Sequence, residues 1–167
     1  MALLKSGEID IAVSLHSLIP KGFYIRKWKE VEPVLIVPDN HPLLKIKNLS
    51  LPDIAKYPLI FPQRNRDSRQ RSLIEEKFEK EGISYRVIME SGNVELSTRY
   101  VEAGIGISFA TTAKGLDPLK GRKLRFISLS RHLRSDHISL VYKKSEHALL
   151  YIEHFIAQVL NRKIPLK

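Results

Sequence analysis

Cysteine is absent from this chain of 167 residues, and long apolar runs are absent too. Without cysteine the protein has no disulfide framework, no thiolate zinc site, no iron–sulfur cluster and no cysteine nucleophile. The absence also fits a reducing compartment. The first residues become charged within five positions, and no apolar segment reaches the length of a signal peptide or a membrane span. We therefore expect a soluble cytoplasmic protein with no membrane partner.

The charge balance is basic, with 28 Lys and Arg against 18 Asp and Glu. A basic excess is typical of nucleic-acid binders. Half of the net charge of +10 falls in residues 119–137, where six basic residues accompany Asp136 as the one acidic residue. This run has Phe126 as its single aromatic residue and no continuous helical pattern, so a base-stacking platform or a recognition helix is hard to build from it. It predicts a solvated loop rather than a nucleic-acid site.

The usual catalytic and metal-binding patterns are missing. Gly104-Ile105-Gly106 is followed by Phe109 where a dinucleotide fingerprint needs a third glycine, so we interpret the first glycine as a helix end and the second as a tight strand entry. His147 and His154 are too far apart along a helix to bind one metal ion as a pair. No coherent set of acid, base and nucleophile is present. We expect no enzyme, no catalytic residues, no metal and no cofactor.

Strand-like apolar runs alternate with helix-like segments along the chain, which predicts an α/β fold with a mainly parallel sheet. The predicted strands are 9–13, 31–37, 58–61, 84–89, 105–110, 124–129 and 138–142. Helical patterns occupy 51–57 and 149–160 and also precede Gly7, Gly82 and Gly104. The chain begins inside an element, whereas an α/β domain normally supplies a whole strand and helix first. We therefore expect an upstream segment to be missing from this chain.

Four arginines lie between Arg64 and Arg71, after the predicted strand 58–61 and at the start of a helix. Ligands of open α/β sheets bind beyond the carboxyl ends of strands, and helix N-termini favour anions. Ser68, Arg69 and Arg71 are therefore candidate ligands for a carboxylate, sulfate or phosphate. The alternative is that the arginines form salt bridges with the glutamates of the same helix. The sequence leaves both interpretations open.

Four segments, in order along the chain, resemble segments of one known family. Segment 4–13 combines a leucine, a glycine and an Asp-Ile-Ala strand, and segment 34–43 is a hydrophobic strand followed by His-Pro-Leu. Segment 51–60 is a short helix that leads into Tyr-Pro-Leu-Ile, and segment 100–107 contains the pattern VxxGxGI. These segments are spread in this order across most of the chain, and together they resemble the effector-binding domain of LysR-type transcriptional regulators.

The resemblance implies a fold like that of type 2 periplasmic binding proteins, with two α/β lobes, two crossover segments and a small effector bound between the lobes. Lobe I is expected at 1–30 with 130–167, lobe II at 38–123, and the crossovers at 31–37 and 124–129. The first strand and helix of lobe I are expected to be missing, and so is the winged helix-turn-helix of a full regulator. The chain is expected to reach DNA only through that absent N-terminal domain.

The resemblance also places effector contacts on six residues: Ser14, Ser68, Arg69, Arg71, Asn93 and Val94. Ser14 matches a hydroxyl position at the end of a lobe I strand, just past strand 9–13, although it can also cap a turn. The positions from 68 to 71 match the start of a lobe II helix. Asn93 with Val94 matches the start of the next helix, where Asn93 is also explained as an N-cap.

We therefore expect the effector-sensing domain of a LysR-type bacterial transcription regulator, which binds a small anion or carboxylate. Self-association as a dimer or higher oligomer is expected to transmit effector occupancy through oligomer geometry. The alternative is a solute-binding protein of the same fold, which the lack of an export signal disfavours. An enzyme of related fold is a third and weaker possibility. Trp28 and Phe23, near the first crossover, leave an aromatic acid open as the effector.

Overall fold

The computed structural model describes residues 1–64, 69–113, 121–143 and 149–161. The chain divides into two compact units, Met1–Val31 with Asp136–Lys167 and Glu32–Ser135. The lobes and crossovers assigned from the resemblance stay predictions. None of the helices in the described part of the chain combines the length and the apolar character that crossing a bilayer needs.

The described residues form α-helices, β-strands and two short 3-10 turns. The helices are α1 (Ala2–Ser6), α2 (Leu51–Ala55), α3 (Arg69–Lys80), α4 (Val94–Glu102) and α5 (Leu149–Asn161). The strands are β1 (Ile11–Leu15), β2 (Tyr24–Pro38), β3 (Leu59–Pro62), β4 (Val87–Ser91), β5 (Ile107–Ala113), β6 (Leu124–Ser128) and β7 (Asp136–Tyr142). The 3-10 turns are His16–Leu18 and Pro42–Lys45.

The first unit is built on β7, which pairs antiparallel with β1 on one side and with the first half of β2 on the other. Leu140 and Tyr142 of β7 are buried against Ile152 and Ile156 of α5. The two isoleucines are four positions apart and therefore lie on one side of the helix. This apolar contact is the core of the first unit.

The second unit contains three parallel strands, with β3 between β5 and β4. The second half of β2 lies next to β5 in the sheet order and pairs antiparallel with β6. Phe61, Phe78 and Phe109 are fully or almost fully buried in its largest apolar cluster. Leu59 and Phe61 are buried in this cluster, and Ile60, on the opposite face of β3, is buried in a second one. Burial of both faces explains why Leu59-Ile60-Phe61 is an uninterrupted apolar run.

The α/β class is confirmed, but the prediction of a mainly parallel sheet is wrong outside β3, β4 and β5. The pairs β1 with β7, β2 with β7 and β2 with β6 are antiparallel. Strand bounds differ as well, since β2 begins at Tyr24 rather than at Val31. β1 runs to Leu15, so Ser14 lies inside the strand rather than past its end.

Gly104 and Gly106 have the backbone roles that their spacing predicted. Gly104 has φ of +72° after the last turn of α4, a conformation that favours glycine. A Cβ atom on Gly106 would lie 2.6 Å from the carbonyl oxygen of Pro58. The same oxygen accepts a hydrogen bond from the amide of Ile107 at 3.0 Å. The close approach of β5 to the start of β3 therefore requires glycine at position 106.

Candidate functional site

The carboxyl ends of β3 and β4 form one edge of the second unit. Pro62 and Ser91, the last residues of the two strands, are paired in register. The next amide, that of Gln63, donates a hydrogen bond to the carbonyl oxygen of Ser91 at 2.9 Å. The Gln63 Oε1 atom lies 3.5 Å from the point where Gly92 would carry a Cβ atom. The segments that follow the two strands thus lie against each other.

α4 begins at this edge, and Asn93 is its N-cap. Asn93 Oδ1 accepts a hydrogen bond from the amide of Leu96 at 2.8 Å. The hydroxyls of Ser91 and Ser97 both donate to the backbone oxygen of Asn93, at 2.9 and 3.1 Å. The structural interpretation of Asn93 is therefore confirmed, while its contact with an effector stays a prediction.

The first turn of α4 leaves donors open at the same edge. Among the described residues, the backbone amides of Val94 and Glu95 have no hydrogen-bond acceptor. Such amides at a helix N-terminus, together with the helix dipole, favour an anion. The Val94 side chain is about half exposed at 49%. The Gln63 side chain is also exposed and adds an amide group next to the same turn.

Arg71 lies behind this edge and is almost completely buried, with 4% of its side chain exposed. Its Nη1 atom donates to the carbonyl oxygen of Pro62 at 2.8 Å and to Glu90 Oε1 at 2.7 Å. Its Nε atom donates to Glu75 Oε1 at 2.9 Å. The guanidinium carbon lies 5.2 Å from the centre of the Phe61 ring. The salt-bridge interpretation is thus confirmed for Arg71 with Glu75, while a contact with an effector stays a prediction.

Hydrogen bonds within this group shift the pKa values of both Glu90 and Arg71. The hydrogen bond from Arg71 lowers the pKa of Glu90, although desolvation opposes the shift. Burial by itself would lower the pKa of Arg71, but the hydrogen bonds with Glu90 and Glu75 outweigh burial and raise that pKa. Both partners therefore stay charged across the physiological pH range, and the group acts as a permanent ionic cluster.

The remaining predicted contacts are placed as follows. Ser68 lies outside the described residues, and Arg69 is described only as the first residue of α3. Ser14 belongs to the first unit, where it is half-buried in β1 opposite Ser139 of β7. Arg71, Asn93 and Val94 are the three predicted residues that the structure brings to the edge of β3 and β4.

Sequence reasoning missed Gln63 and Glu90. Gln63 is the first polar residue after the predicted strand 58–61, so its position next to the carboxyl end was available as a signal. Glu90 had no such signal, because an acidic residue near the end of a strand is most simply explained as solvated. Its pairing with Arg71 depends on the parallel alignment of β3 and β4.

The basic run at 119–137 is not simply a solvated loop, so that prediction is wrong in part. Arg122 has 19% of its side chain exposed and forms two hydrogen bonds with Glu102, at 2.8 and 2.6 Å. Its Nη1 atom donates to the hydroxyl of Thr98 at 2.7 Å. Arg125 lies in β6 and is exposed. Arg122 thus attaches the segment before β6 to α4, while Lys120 lies outside the described residues.

No group of three or more His, Asp or Glu residues that could hold a metal ion occurs in the described part of the chain. His154 is exposed on α5, and its Nε2 atom lies 2.9 Å from Gln158 Nε2. His147 lies outside the described residues.

Comparisons with known proteins agree with one another. The family model described as the LysR substrate binding domain matches residues 1–163. A relative from Bacillus subtilis (strain 168), the "Uncharacterized HTH-type transcriptional regulator YybE", is 33% identical over 124 residues, which are 73% of this chain and 41% of that protein. The chain therefore aligns with less than half of that regulator.

Solved structures show the same fold. The effector-binding domain of QuiR in complex with shikimate has a TM-score of 0.73 at 22% identity, over 95% of this chain and 74% of that chain. The regulatory domain of Synechocystis PCC6803 CcmR in complex with 2-PG has a TM-score of 0.74 at 14% identity, over 95% of this chain and 76% of that chain. At these identities the likeness is one of fold alone.

Proposed function

Because the chain belongs to the LysR substrate-binding domain family, we propose that it senses a small anionic or carboxylate effector as part of a bacterial transcription regulator. The observation that carries the anionic chemistry is the open first turn of α4 beside Gln63, at the carboxyl ends of β3 and β4. Two amides that have no acceptor in the described part of the chain, a helix dipole and a side-chain amide together form a set of hydrogen-bond donors.

The proposed direct contacts on the second unit are Ser68, Arg69, the backbone of Val94 and the side chains of Asn93 and Gln63. Ser14 is the proposed contact on the first unit. The molecules bound in the related solved structures, shikimate in QuiR and 2-PG in CcmR, support a small molecule as the ligand class.

The further properties of a regulator belong to the same proposal. The relatives are transcriptional regulators, a class that reads DNA rather than one that catalyses reactions, so we propose a cytoplasmic role without catalysis. DNA binding is proposed to require an N-terminal winged helix-turn-helix outside this chain. Self-association is proposed to carry the effector signal, because a ligand shifts an assembly only through its different affinities for two arrangements.

The substitution Asn93→Asp tests the anion site without removing the helix cap. Asp caps a helix about as well as Asn, and a negative charge at the N-terminus of a helix is favourable, so folding stability should be unchanged or slightly raised. The new carboxylate would repel a bound anion. Two like charges about 5 Å apart repel by roughly 1–3 kcal/mol at an effective dielectric between 80 and 20. Binding should therefore weaken by about fivefold to 150-fold.

Titration calorimetry at constant ionic strength, with sulfate, phosphate, shikimate and 2-PG as separate probes, provides the measurement. Asn48→Asp is the matched control, since it makes the same charge change in the turn before α2. Its side chain accepts a hydrogen bond from Arg131 at 2.7 Å, which a carboxylate can also accept. The proposal predicts weakened binding in Asn93→Asp only. Equal affinities in both variants and the parent, or no binding of any anion by the parent, would contradict it.

A further inference from the structure

The buried ion cluster around Arg71 connects three elements at the proposed effector edge. Arg71 is on α3, its partner Pro62 ends β3, and its partner Glu90 lies next to the last residue of β4. The bonds to Pro62 and Glu90 leave from the same nitrogen, Nη1, at 2.8 and 2.7 Å. One planar guanidinium therefore spans the ends of two neighbouring strands.

The exposure of Arg71 argues against its acting as a ligand for a small molecule. Its side chain is 4% exposed, whereas Arg64, in the same cluster, has 72% of its side chain exposed. The ring of Phe61 lies against the guanidinium group, at 5.2 Å between ring centre and guanidinium carbon. A ligand anion would have to displace a carboxylate from an almost fully buried cation, which is unfavourable.

The charges of the cluster cancel. Arg64 Nη2 donates to Glu75 Oε1 at 3.0 Å, the same oxygen that accepts from Arg71. Two arginines thus face two carboxylates, those of Glu75 and Glu90. The cluster adds little net attraction for an anion, so its contribution to binding has to come from geometry.

We propose that Arg71 is a positioning residue for the effector site rather than one of its ligands. By holding Pro62 and Glu90 it keeps the end of β3 against the end of β4. That alignment maintains the bond between the Gln63 amide and the Ser91 oxygen, at 2.9 Å, and so places Gln63 beside Gly92 and the start of α4. The link to effector binding rests on the proposed function, whereas the link to strand alignment does not.

Amide hydrogen exchange followed by NMR tests the strand alignment without any effector. The Gln63 amide reports on the carboxyl end of β3. The Ile107 amide, bonded to the Pro58 oxygen at 3.0 Å, reports on the opposite end of the same strand. Loss of overall stability accelerates the exchange of both amides, whereas loss of positioning accelerates exchange at Gln63 alone. The measured quantity is the ratio of the two rates.

In Arg71→Met the ratio of the exchange rate at Gln63 to the exchange rate at Ile107 should rise about tenfold or more. In Arg71→Lys the same ratio should rise by a smaller factor. Lysine keeps the charge but lacks the planar fork that reaches both strand ends. Arg131→Met is the control, because it removes an arginine that donates to Asn48 Oδ1 at 2.7 Å rather than to a strand end. Its ratio should stay within twofold of the parent's.

Glu90→Gln provides a second variant in case Arg71→Met does not fold, because Glu90 is 43% exposed and tolerates substitution more easily. It should raise the same ratio by a smaller factor, since the neutral amide keeps the shape but weakens the bond to Arg71. A ratio unchanged in Arg71→Met, or unchanged in both Arg71→Lys and Glu90→Gln if Arg71→Met does not fold, would overturn the positioning role.

Sulfate and phosphate titrations on the same variants separate the two proposals. Positioning predicts that affinity falls in step with the rate ratio. Lost affinity at an unchanged ratio would make Arg71 a direct ligand and overturn the inference. Absence of anion binding in the parent would refute the proposed function alone, since the exchange ratio still decides whether Arg71 aligns the strands.

Discussion

Gly106→Ala should be strongly destabilising, because it introduces a Cβ atom into the closest backbone approach between β5 and the start of β3. The new atom would lie 2.6 Å from the Pro58 oxygen, 3.2 Å from the Pro58 carbonyl carbon and 3.1 Å from Cδ1 of Ile88. Ile88 can move its terminal methyl group, but the carbonyl of Pro58 belongs to the backbone. The two chain segments must therefore separate by several tenths of an ångström.

The expected cost follows from these contacts. Overpacking a close contact costs about 1–3 kcal/mol. Weakening the bond from the Ile107 amide to the Pro58 oxygen adds roughly 0.5–1.5 kcal/mol. Alanine lowers the conformational entropy of the unfolded chain, which offsets about 0.4–1 kcal/mol of this destabilisation. These terms sum to a net loss of roughly 0.5–4 kcal/mol, centred at about 2 kcal/mol. Since 1 kcal/mol corresponds to roughly 2–4 °C in a protein of this size, the central value predicts a fall in melting temperature of about 4–8 °C.

Gly92→Ala is the matched control, measured by urea unfolding and thermal melting beside Gly106→Ala. Its Cβ atom would lie 3.5 Å from Gln63 Oε1, an ordinary contact with a flexible side chain. Its stability should therefore stay within about 0.5 kcal/mol of the parent or rise slightly. If both glycine variants lost the same stability, or if Gly106→Ala lost none, the assignment of Gly106 to a required close approach would be refuted.

Further predictions concern the caps and ion pairs of the second unit. Ser50→Ala removes the hydroxyl that accepts from the Asp53 amide at the start of α2, and the free energy of urea unfolding should fall by about 1 kcal/mol; an unchanged midpoint would contradict the cap. Hydrogen bonds with Ser50 and Lys56 lower the pKa of Asp53 from 3.8 to about 2. The stability that the ionised carboxylate contributes should therefore be lost as the pH falls from about 4 towards 2. Ser50→Ala should weaken that pH dependence, because it removes one of the hydrogen bonds. Arg122→Met should raise the pKa of Glu102, because the hydrogen bond from Arg122 lowers it; a carboxyl carbon shift titrating at the same pH in both proteins would argue against this pairing.

The family resemblance is confirmed by the family model, and the predicted effector-domain fold is confirmed by the likeness to LysR effector-binding domains. Local signals were sufficient for elements with a regular apolar pattern, such as β3 and α5. They failed for the first half of β2, where Arg26, Lys27 and Glu30 give no strand-like alternation. That segment is a strand because β7 supplies its hydrogen-bond partners, and β7 comes from a distant part of the chain.

In the candidate site, too, one role was predictable from the local sequence and another depended on the tertiary structure. The N-cap role of Asn93 was predictable, because a cap depends on a side chain and an amide three residues away in the chain. Whether Arg71 binds a ligand or forms a salt bridge was not predictable from the sequence. It depended on Glu90, which reaches Arg71 only because β3 and β4 lie side by side.

The sequence by itself determined the α/β class, the N-cap of α4 at Asn93 and the glycine at the entry to β5, because each of these follows from residue types at short spacing. The order of four segments along the chain determined the family. The tertiary structure alone decided that strands of the first unit pair antiparallel, that Arg122 attaches to α4 and that Arg71 is buried between two strand ends. The physical reason is distance. Ion pairs and strand pairings depend on which distant segments of the chain lie within a few ångströms of each other. Spacing along the chain does not specify those contacts.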